Sequence, residues 1–147
     1  MGSYLVVAHQ TAASNELIDG LIAKAAADPE ARFTLLVPAT PAHELFHPRE
    51  GEGRDIAGFA AKEAEGVLRE AGIKIIRTDV GDESPLVAIE NELRDKPDYD
   101  GIIICTFPVG MSKWLKLDLV HQAERRFPLP ISHIVAQSVV EEPIIGN

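Results

Sequence analysis

The sequence predicts a three-layer α/β domain, in which helices cover both faces of a five-stranded parallel sheet. Strand-length apolar runs alternate with helix-length amphipathic segments along the chain, which is typical of βαβ units. The run Gly101–Cys105 carries no polar side chain, as expected for a central strand buried on both faces. The 147 residues suit one doubly wound domain and contain no repeat, so residues 1–147 are assigned to a single domain.

The first strand is predicted at Tyr4–Ala8, followed by a polar turn. Ser14 is a good N-cap for the first helix, because its hydroxyl can accept from a free backbone N–H. Asp28 and Pro29 are expected to end that helix. Its inner face is predicted to carry Leu17, Ile18, Leu21, Ile22 and Ala25.

The second strand is predicted at Phe33–Val37, and the irregular segment Pro38–Gly53 follows it. The sequence leaves open whether this segment forms an ordered lid or a mobile loop. A long helix comes next and should end at Gly72, a favoured C-capping residue, before a third strand at Lys74–Thr78. The inner face of that helix is predicted to comprise Ile56, Phe59, Ala60, Ala64, Val67, Leu68 and Ala71.

The third helix should begin at Ser84 and Pro85, an N-cap followed by proline at the first helical position. The last helix should end near Phe127, before the Pro128-Leu129-Pro130 break. The residues predicted to face inward from the third helix are Leu86, Ile89 and Leu93.

The fifth strand, Ile131–Val135, is short and carries the polar residues Ser132 and His133, so it should lie at a sheet edge. An exposed edge can pair with a second chain. The sequence therefore predicts a homodimer through this strand and the aliphatic tail Ala136–Asn147.

Composition excludes several classes of protein. The net charge of −9 argues against a nucleic-acid or anionic-membrane partner. No apolar run approaches the ~20 residues that span a bilayer, and the first residues lack a basic region and cleavage site, which favours the cytoplasm. Cys105 is the single cysteine, so it forms no intramolecular disulfide, and its place in an apolar strand predicts a buried, inert thiol.

Two short motifs are interpreted as chance matches. The run His43–His47, His-Glu-Leu-Phe-His, fits the pattern of zinc proteases, but Pro41 and Pro48 leave room for barely two helical turns, and no metal site is expected. The run Gly51–Gly53 begins like a dinucleotide fingerprint, but Ile56 replaces the third glycine. No phosphate-binding P-loop pattern is present.

Five sequence features follow one another along the chain: His9-Gln10-Thr11, Val80-Gly81-Asp82, Ser84–Ile89, the run Tyr99–Ile104 leading to Gly110, and Leu129-Pro130-Ile131. In this order they resemble the universal stress protein family over nearly the whole chain. The resemblance implies a five-stranded parallel sheet in the order 3-2-1-4-5, of the kind shared with adenine nucleotide alpha hydrolases. It also implies frequent dimerisation through the last strand and, in many members, ATP bound in the crevice.

The chain departs from the glycine motif of the ATP-binding members. Lys113 follows Gly110 by three positions, and Leu117-Asp118 stands where the family has a glycine followed by Ser or Thr. The family's acidic residue after the first strand is His9 here. Glycines matter in this loop because they let backbone amides wrap a polyphosphate.

The sequence is compatible with two different N-caps for the last helix. If it starts at Asp118, the carboxylate caps the helix, occupies its positive end and repels phosphate. If Ser112 is the N-cap, then Gly110, Ser112 and Lys113 hold one small anion.

The predicted function is that of a cytoplasmic binding or regulatory module in the stress response, whose crevice holds ATP, AMP or a smaller anionic metabolite weakly. Thr106 either satisfies local backbone or contacts the ligand, since ligands settle beyond the carboxyl ends of such strands. Trp114, His121 and His133 are interpreted as structural. The residues predicted to form the crevice are His9, Gln10, Thr11, Val37, Thr106, Gly110, Ser112, Lys113 and Asp118.

No catalytic constellation is visible, so the chain is not predicted to be an enzyme. The alternative is a nucleotide-dependent enzyme that hydrolyses ATP or transfers a group in the same crevice, with His9 or Asp118 as base. A flavodoxin-like redox protein ranks last, because aromatic residues make up 5% of the chain and offer little to sandwich a flavin.

Overall fold

A computed structural model describes residues 2–41, 50–108, 114 and 118–137. Strands and helices alternate throughout these residues, as the sequence predicts. The elements are β1 (Ser3–Val7), α1 (Asn15–Ala27), β2 (Arg32–Pro38), α2 (Glu52–Glu70), β3 (Ile75–Gly81), α3 (Pro85–Asp95), β4 (Gly101–Thr106), α4 (Leu119–Arg126) and β5 (Ile131–Val135).

The strands form one parallel sheet in the order β3-β2-β1-β4-β5, which confirms the predicted topology. β1 and β4 lie side by side at the centre, with Val7 in register with Ile104 of β4 and with Leu36 of β2. β5 pairs with β4 alone among the described strands and lies at the edge, as predicted. Every residue of β4 is buried.

Two apolar clusters fill the space on the two sides of the sheet. One contains α1 and α2 residues such as Leu17 and Leu68, packed with alternate strand residues such as Val6. The other contains Ile89 of α3 and Leu119 of α4. This arrangement gives the three layers that the sequence predicts. Trp114 packs against the second cluster, which confirms its predicted packing role.

Helix starts and ends follow their local sequence signals. The Ser14 hydroxyl accepts from Leu17 N at 3.2 Å, and α1 ends at Asp28. Ser84 caps α3 in the same way, with Pro85 in the first helical turn. Gly72 follows α2 with a φ of 87°, a left-handed conformation that glycine adopts without steric cost.

The predicted inner face of α2 is wrong in part. Ile56, Phe59 and Val67 are exposed. The buried residues of this helix are Ala57, Ala61, Ala64 and Leu68, so Ala64 and Leu68 keep their predicted place, and Ala71 at the end of the helix is partly buried against the same cluster.

Two features determine the rotation of α2 about its own axis, and so which of its faces packs against the sheet. Alanines at the buried positions let the helix approach the sheet more closely than large side chains would. Arginines then fix the rotation from the side: Arg54 donates to Val80 O at 2.9 Å, and Arg69 donates to Ile75 O at 2.8 Å. Both bonds satisfy carbonyl groups of the edge strand β3.

Smaller differences occur in α1, β3 and α3. Ile22 of α1 is 45% exposed and does not face the core as predicted. β3 extends to Gly81, because its later residues still pair with β2 up to Pro38. In α3, Ile89 is buried as predicted, whereas Leu86 and Leu93 are partly buried and pack against the second cluster.

None of the helices in the described part of the chain is long and apolar enough to cross a membrane. The motif at residues 43–47 lies outside the described residues, as does half of the segment Pro38–Gly53, namely residues 42–49.

Candidate functional site

The candidate crevice lies at the carboxyl edge of the sheet, between β1 and β4. The chain leaves β1 toward β2 on one side and leaves β4 toward β5 on the other. Connections that diverge in this way open a gap beyond the strand ends, which is where ligands bind in open α/β sheets. The turn after β1 carries His9 and Thr11, and the end of β4 carries Thr106.

His9 joins the turn after β1 to the segment after β2. Its Nε2 lies 3.0 Å from the Thr40 hydroxyl oxygen, and the ring is partly buried. Gln10, next in the chain, is exposed. His9 and Gln10 therefore lie in the turn at the carboxyl end of β1, next to the segment that follows β2.

Thr40 also lies close to Gly53, so that the end of β2 approaches the start of α2, and we call this close approach the neck. Its backbone N–H donates to Gly53 O at 3.1 Å. A Cβ atom at position 53 would overlap the Thr40 carbonyl oxygen, so this close approach requires glycine. The segment after β2 thus meets the first turn of α2 at Thr40 and Gly53, and His9 contacts Thr40 there.

Thr11 connects the turn after β1 to β4 and so forms the floor of the candidate crevice. This buried side chain donates from its hydroxyl to Cys105 O at 3.0 Å, which fixes the first turn to β4. Cys105 is buried as predicted, and burial raises the pKa of its thiol although hydrogen bonds from Thr11 and Ser14 oppose the shift. Ser14 Oγ lies 3.9 Å from the Cys105 sulfur.

Thr106 is 2% exposed, and its hydroxyl is fully used within the protein. It donates to Phe107 O at 3.0 Å and lies 2.8 Å from His133 Nε2. Because a hydroxyl has one proton, His133 must donate from Nε2 in this arrangement. The geometry therefore matches the interpretation in which Thr106 satisfies local groups, and it confirms the structural role of His133.

Val37 lies under the crevice rather than on its surface. Its side chain is fully buried and belongs to the first apolar cluster. A ligand in the crevice would meet the backbone here and not the side chain. Three further predicted crevice residues, Gly110, Ser112 and Lys113, lie outside the described residues.

Asp118 is the N-cap residue of α4, which agrees with one of the two predicted starts, but its side chain does not cap the helix. Its φ of 58° is left-handed, a conformation that Asp tolerates better than most residues, and its side chain makes no capping bond. The carboxylate instead accepts from His121 Nδ1, 2.8 Å away, and Arg125 Nη2 lies 4.0 Å from its other oxygen. The backbone conformation turns the carboxylate from the helix N–H groups toward these side chains.

No family model and no curated protein matches the sequence. Solved structures do match. A universal stress protein from Archaeoglobus fulgidus is 13% identical with a TM-score of 0.59, over 91% of this chain and 93% of that one. The chain has the universal stress protein fold.

Two similar structures contain adenine nucleotides. A universal stress protein in complex with cAMP is 19% identical with a TM-score of 0.59, over 92% of this chain and 98% of its own. A universal stress protein family protein from Arabidopsis thaliana with AMP bound is 12% identical with a TM-score of 0.57, over 94% of each chain. The resemblance predicted from sequence motifs is confirmed at the level of the fold.

This universal stress protein fold has a second concavity, which sequence analysis missed. A cavity of about 300 Å³ lies at the carboxyl end of β3, away from His9, with Arg54 at its rim. Its acidic lining disfavours a phosphate group by like-charge repulsion. The acidic residues in its wall are Asp79, Asp82, Glu92 and Asp95.

The buried carboxylate of Glu92 in that wall was also missed. It pairs with Arg77 and accepts from the Tyr99 hydroxyl at 2.6 Å. Burial and the bond to Glu92 raise the pKa of Tyr99. Burial alone would lower the pKa of Arg77, but its bonds to Glu92 and Asp79 raise it above its ordinary value. Periodicity was the available signal, since Glu92 lies one turn beyond Ile89 on the inner face of α3.

Thr40 is another partner that periodicity did not reveal, because it belongs to the irregular segment after β2. Its position at the carboxyl edge, beside the end of β1, was the available signal. In the described part of the chain, no group of His, Cys, Asp or Glu is arranged to hold a metal ion.

Proposed function

We propose that this protein is a binding or regulatory module of the stress response, whose crevice holds an adenine nucleotide or a smaller anion weakly. The crevice between β1 and β4, in a fold whose solved relatives contain cAMP and AMP, carries this proposal. His9 and Gln10 stand at its mouth, and Thr11 fixes its floor. The proposed contact residues are those predicted from the sequence, except that Val37 and Thr106 offer backbone groups and not their buried side chains.

Weak binding of triphosphate is supported by the charge at the start of α4. The Asp118 carboxylate lies beside the first turn of that helix, although it makes no capping bond. Arg125 lies near this carboxylate and His121 is bonded to it, so both side chains are engaged by Asp118 rather than by phosphate.

Calorimetry with ATP, AMP and cAMP tests the proposal. The expected result is saturable binding with dissociation constants above ~1 μM, equivalent to less than ~8 kcal/mol of binding free energy. His9→Ala should weaken that binding, because it removes a side chain at the mouth of the crevice. Glu90→Gln on α3, an exposed site on the other side of the molecule, is the matched control and should bind as the unmodified protein does. Sub-micromolar ATP binding would contradict weak binding, and no binding of any nucleotide would contradict the crevice.

We also propose that the module does not turn over its ligand. His9, the residue best placed to act as a base, is hydrogen-bonded to Thr40. ATP hydrolysis should therefore show the same background rate in the unmodified protein and in His9→Ala. A rate that depends on His9 would favour the alternative, a nucleotide-dependent enzyme.

A homodimer through β5 completes the proposal. Ala136 N donates to Thr106 O, and Pro130 O accepts from Ile102 N, so even-numbered residues of this strand bond to β4. In a parallel ladder the backbone groups of the odd-numbered residues then point to the open edge. Val135→Pro removes one of those N–H groups, and sedimentation should show loss of association through this edge.

A further inference from the structure

The sheet has two edge strands, β3 and β5, and the outer backbone groups of β3 are bonded within the chain. β3 pairs with β2 and β5 pairs with β4, and neither has a second neighbour among the described strands. The outward N–H and C=O groups of an edge strand are a template on which a strand of another chain can pair. An edge whose groups are already bonded offers no such template.

The outer side of β3 is identified by the bonds on its inner side. The carbonyls of Lys74, just before β3, and of Gly81, its last residue, each accept from a backbone N–H in or directly after β2 at 3.0 Å. Backbone groups of successive strand residues point to alternate sides, so those of the neighbouring residues Ile75 and Val80 face outward. Ile76 has no partner on β2, because the register shifts there.

At the start of β3, Arg69 of α2 occupies the outward carbonyl. Its Nη2 donates to Ile75 O at 2.8 Å. Its Nη1 lies 2.6 Å from Glu65 Oε2, one helical turn earlier, which holds the guanidinium in place. The N–H of Ile75 is also used, since it donates to Ile73 O at 3.1 Å. Neither backbone group of Ile75 is left for an incoming strand.

At the end of β3, Arg54 of α2 occupies the outward carbonyl of Val80. Its Nη2 donates to Val80 O at 2.9 Å, and Val80 N donates to Asp79 Oδ1 at 3.2 Å. Ile76 and Thr78 are the outward residues between the two bonded ends, and Ile76 lies in the bulge, where a ladder is disrupted. What remains is shorter than the ~3 residues of the shortest usual strand.

We propose that Arg54 and Arg69 cap the β3 edge and prevent a second copy of the chain from pairing there. A molecule that can pair at both edges joins copies without end, whereas one that can pair at a single edge stops at two copies. The two arginines thus limit assembly through the sheet to a closed dimer. The proposed association through β5 sets the size of that product, but the cap at β3 does not depend on it.

Arg54→Met combined with Arg69→Met tests the cap, since methionine keeps the apolar stem and lacks the guanidinium donors. Sedimentation should give a weight-average mass at least about 1.5-fold that of the unmodified protein at equal concentration, because copies now pair at β3. Arg94→Met combined with Arg126→Met, at exposed arginines of α3 and α4, is the matched control and should leave the mass unchanged. Both pairs of substitutions make the net charge of −9 more negative, so a change in repulsion cannot produce the larger mass. A mass equal to that of the unmodified protein would overturn the cap.

Ile76→Lys separates pairing at β3 from aggregation of unfolded chains. Ile76 is 49% exposed, and a lysine on an edge strand opposes pairing. When Ile76→Lys is added to the arginine double variant, the mass should return to that of the unmodified protein. A mass that stays raised would place the association elsewhere and contradict the proposal.

Val135→Pro, added to the arginine double variant, counts the usable edges. With β5 disabled, pairing at β3 alone should give two copies and no larger species, and growth beyond two copies would contradict closure at one edge. A monomeric unmodified protein would remove the proposed β5 dimer, and a gain of mass in the arginine double variant would then still support the cap. Nucleotide binding is measured separately, so failure of the cap leaves the proposed function untouched.

Discussion

His133 bonds to Thr106 from an exposed position on the edge strand β5, and partial desolvation lowers the pKa of its ring. An unfolded chain has an ordinary histidine pKa of about 6.5. As the pH falls below that value, the unfolded state binds a proton more readily than the folded state does, so the free energy of unfolding decreases.

This linkage predicts that urea denaturation at pH 5.0 gives a lower midpoint than at pH 7.5. His133→Gln should reduce the difference, because glutamine does not titrate. His121→Gln, at an exposed histidine, is the control and should retain most of it. An equal pH dependence in the native protein and in His133→Gln would contradict the assignment.

Asp118 offers a second test at the residue scale. Asp118→Asn removes a negative charge from the start of α4 while His121 and Arg125 remain there. ATP should then bind more tightly by a few-fold, in line with the ~0.3–1 kcal/mol typical of a charge at a helix end. Calorimetry with ATP and with uncharged adenosine distinguishes the causes, since adenosine should show little change.

At the scale of elements, the neck between β2 and α2 depends on a backbone contact. Gly53→Ala should destabilise the protein by ~1–3 kcal/mol, because a methyl group there overlaps the Thr40 carbonyl. Gly66→Ala, in the same helix, faces open space and should stabilise it by ~0.5–1 kcal/mol. Urea denaturation of both variants measures the difference, and a destabilised Gly66→Ala protein would contradict the description of α2.

Element positions could be predicted from the sequence, because apolar periodicity, the Ser14 cap and the Ser84-Pro85 start are local signals. The face of α2 that packs against the sheet could not be predicted in this way. Its apolar residues form two stripes, and the choice between them depends on the distance to the sheet and on arginine bonds to β3 carbonyls. These are tertiary properties.

The candidate site likewise contains residues whose position could be predicted from the sequence and residues whose position could not. The edge of the sheet that carries His9, Thr11 and Thr106 follows from strand direction alone, and the structure brings these residues to one edge as expected. The partners Thr40 and His133 depend on how separate segments meet in space. The left-handed backbone of Asp118 likewise has no signature in composition or spacing.

At the scale of the whole molecule, Glu92 connects three parts of the chain. It pairs with Arg77 of β3 and with Tyr99 before β4, from its own place on α3. Glu92→Gln should lower the free energy of unfolding by about 2 kcal/mol, because it weakens hydrogen bonds to a charged group while keeping the size of the side chain. Tyr99→Phe removes a single hydrogen bond and should cost ~1 kcal/mol.

Chemical denaturation, analysed with one m-value for all proteins, compares the free energies of unfolding of Glu92→Gln and Tyr99→Phe. Glu90→Gln lies two residues away on the exposed side of α3, so it controls for the loss of charge and should change stability little. A Glu92→Gln protein as stable as this control would show that the buried cluster contributes nothing to the fold.

The neck at Thr40 and Gly53 has a consequence for how the chain tolerates insertions. Thr40 and Gly53 are hydrogen-bonded to each other, and Thr40 is also bonded to His9 in the turn after β1, so sequence placed between them adds little strain to the sheet. The entropy of closing such a loop grows slowly, by ~0.6 kcal/mol for each doubling of its length. Peptides or reporter tags grafted at this point should leave the scaffold folded and would lie next to His9.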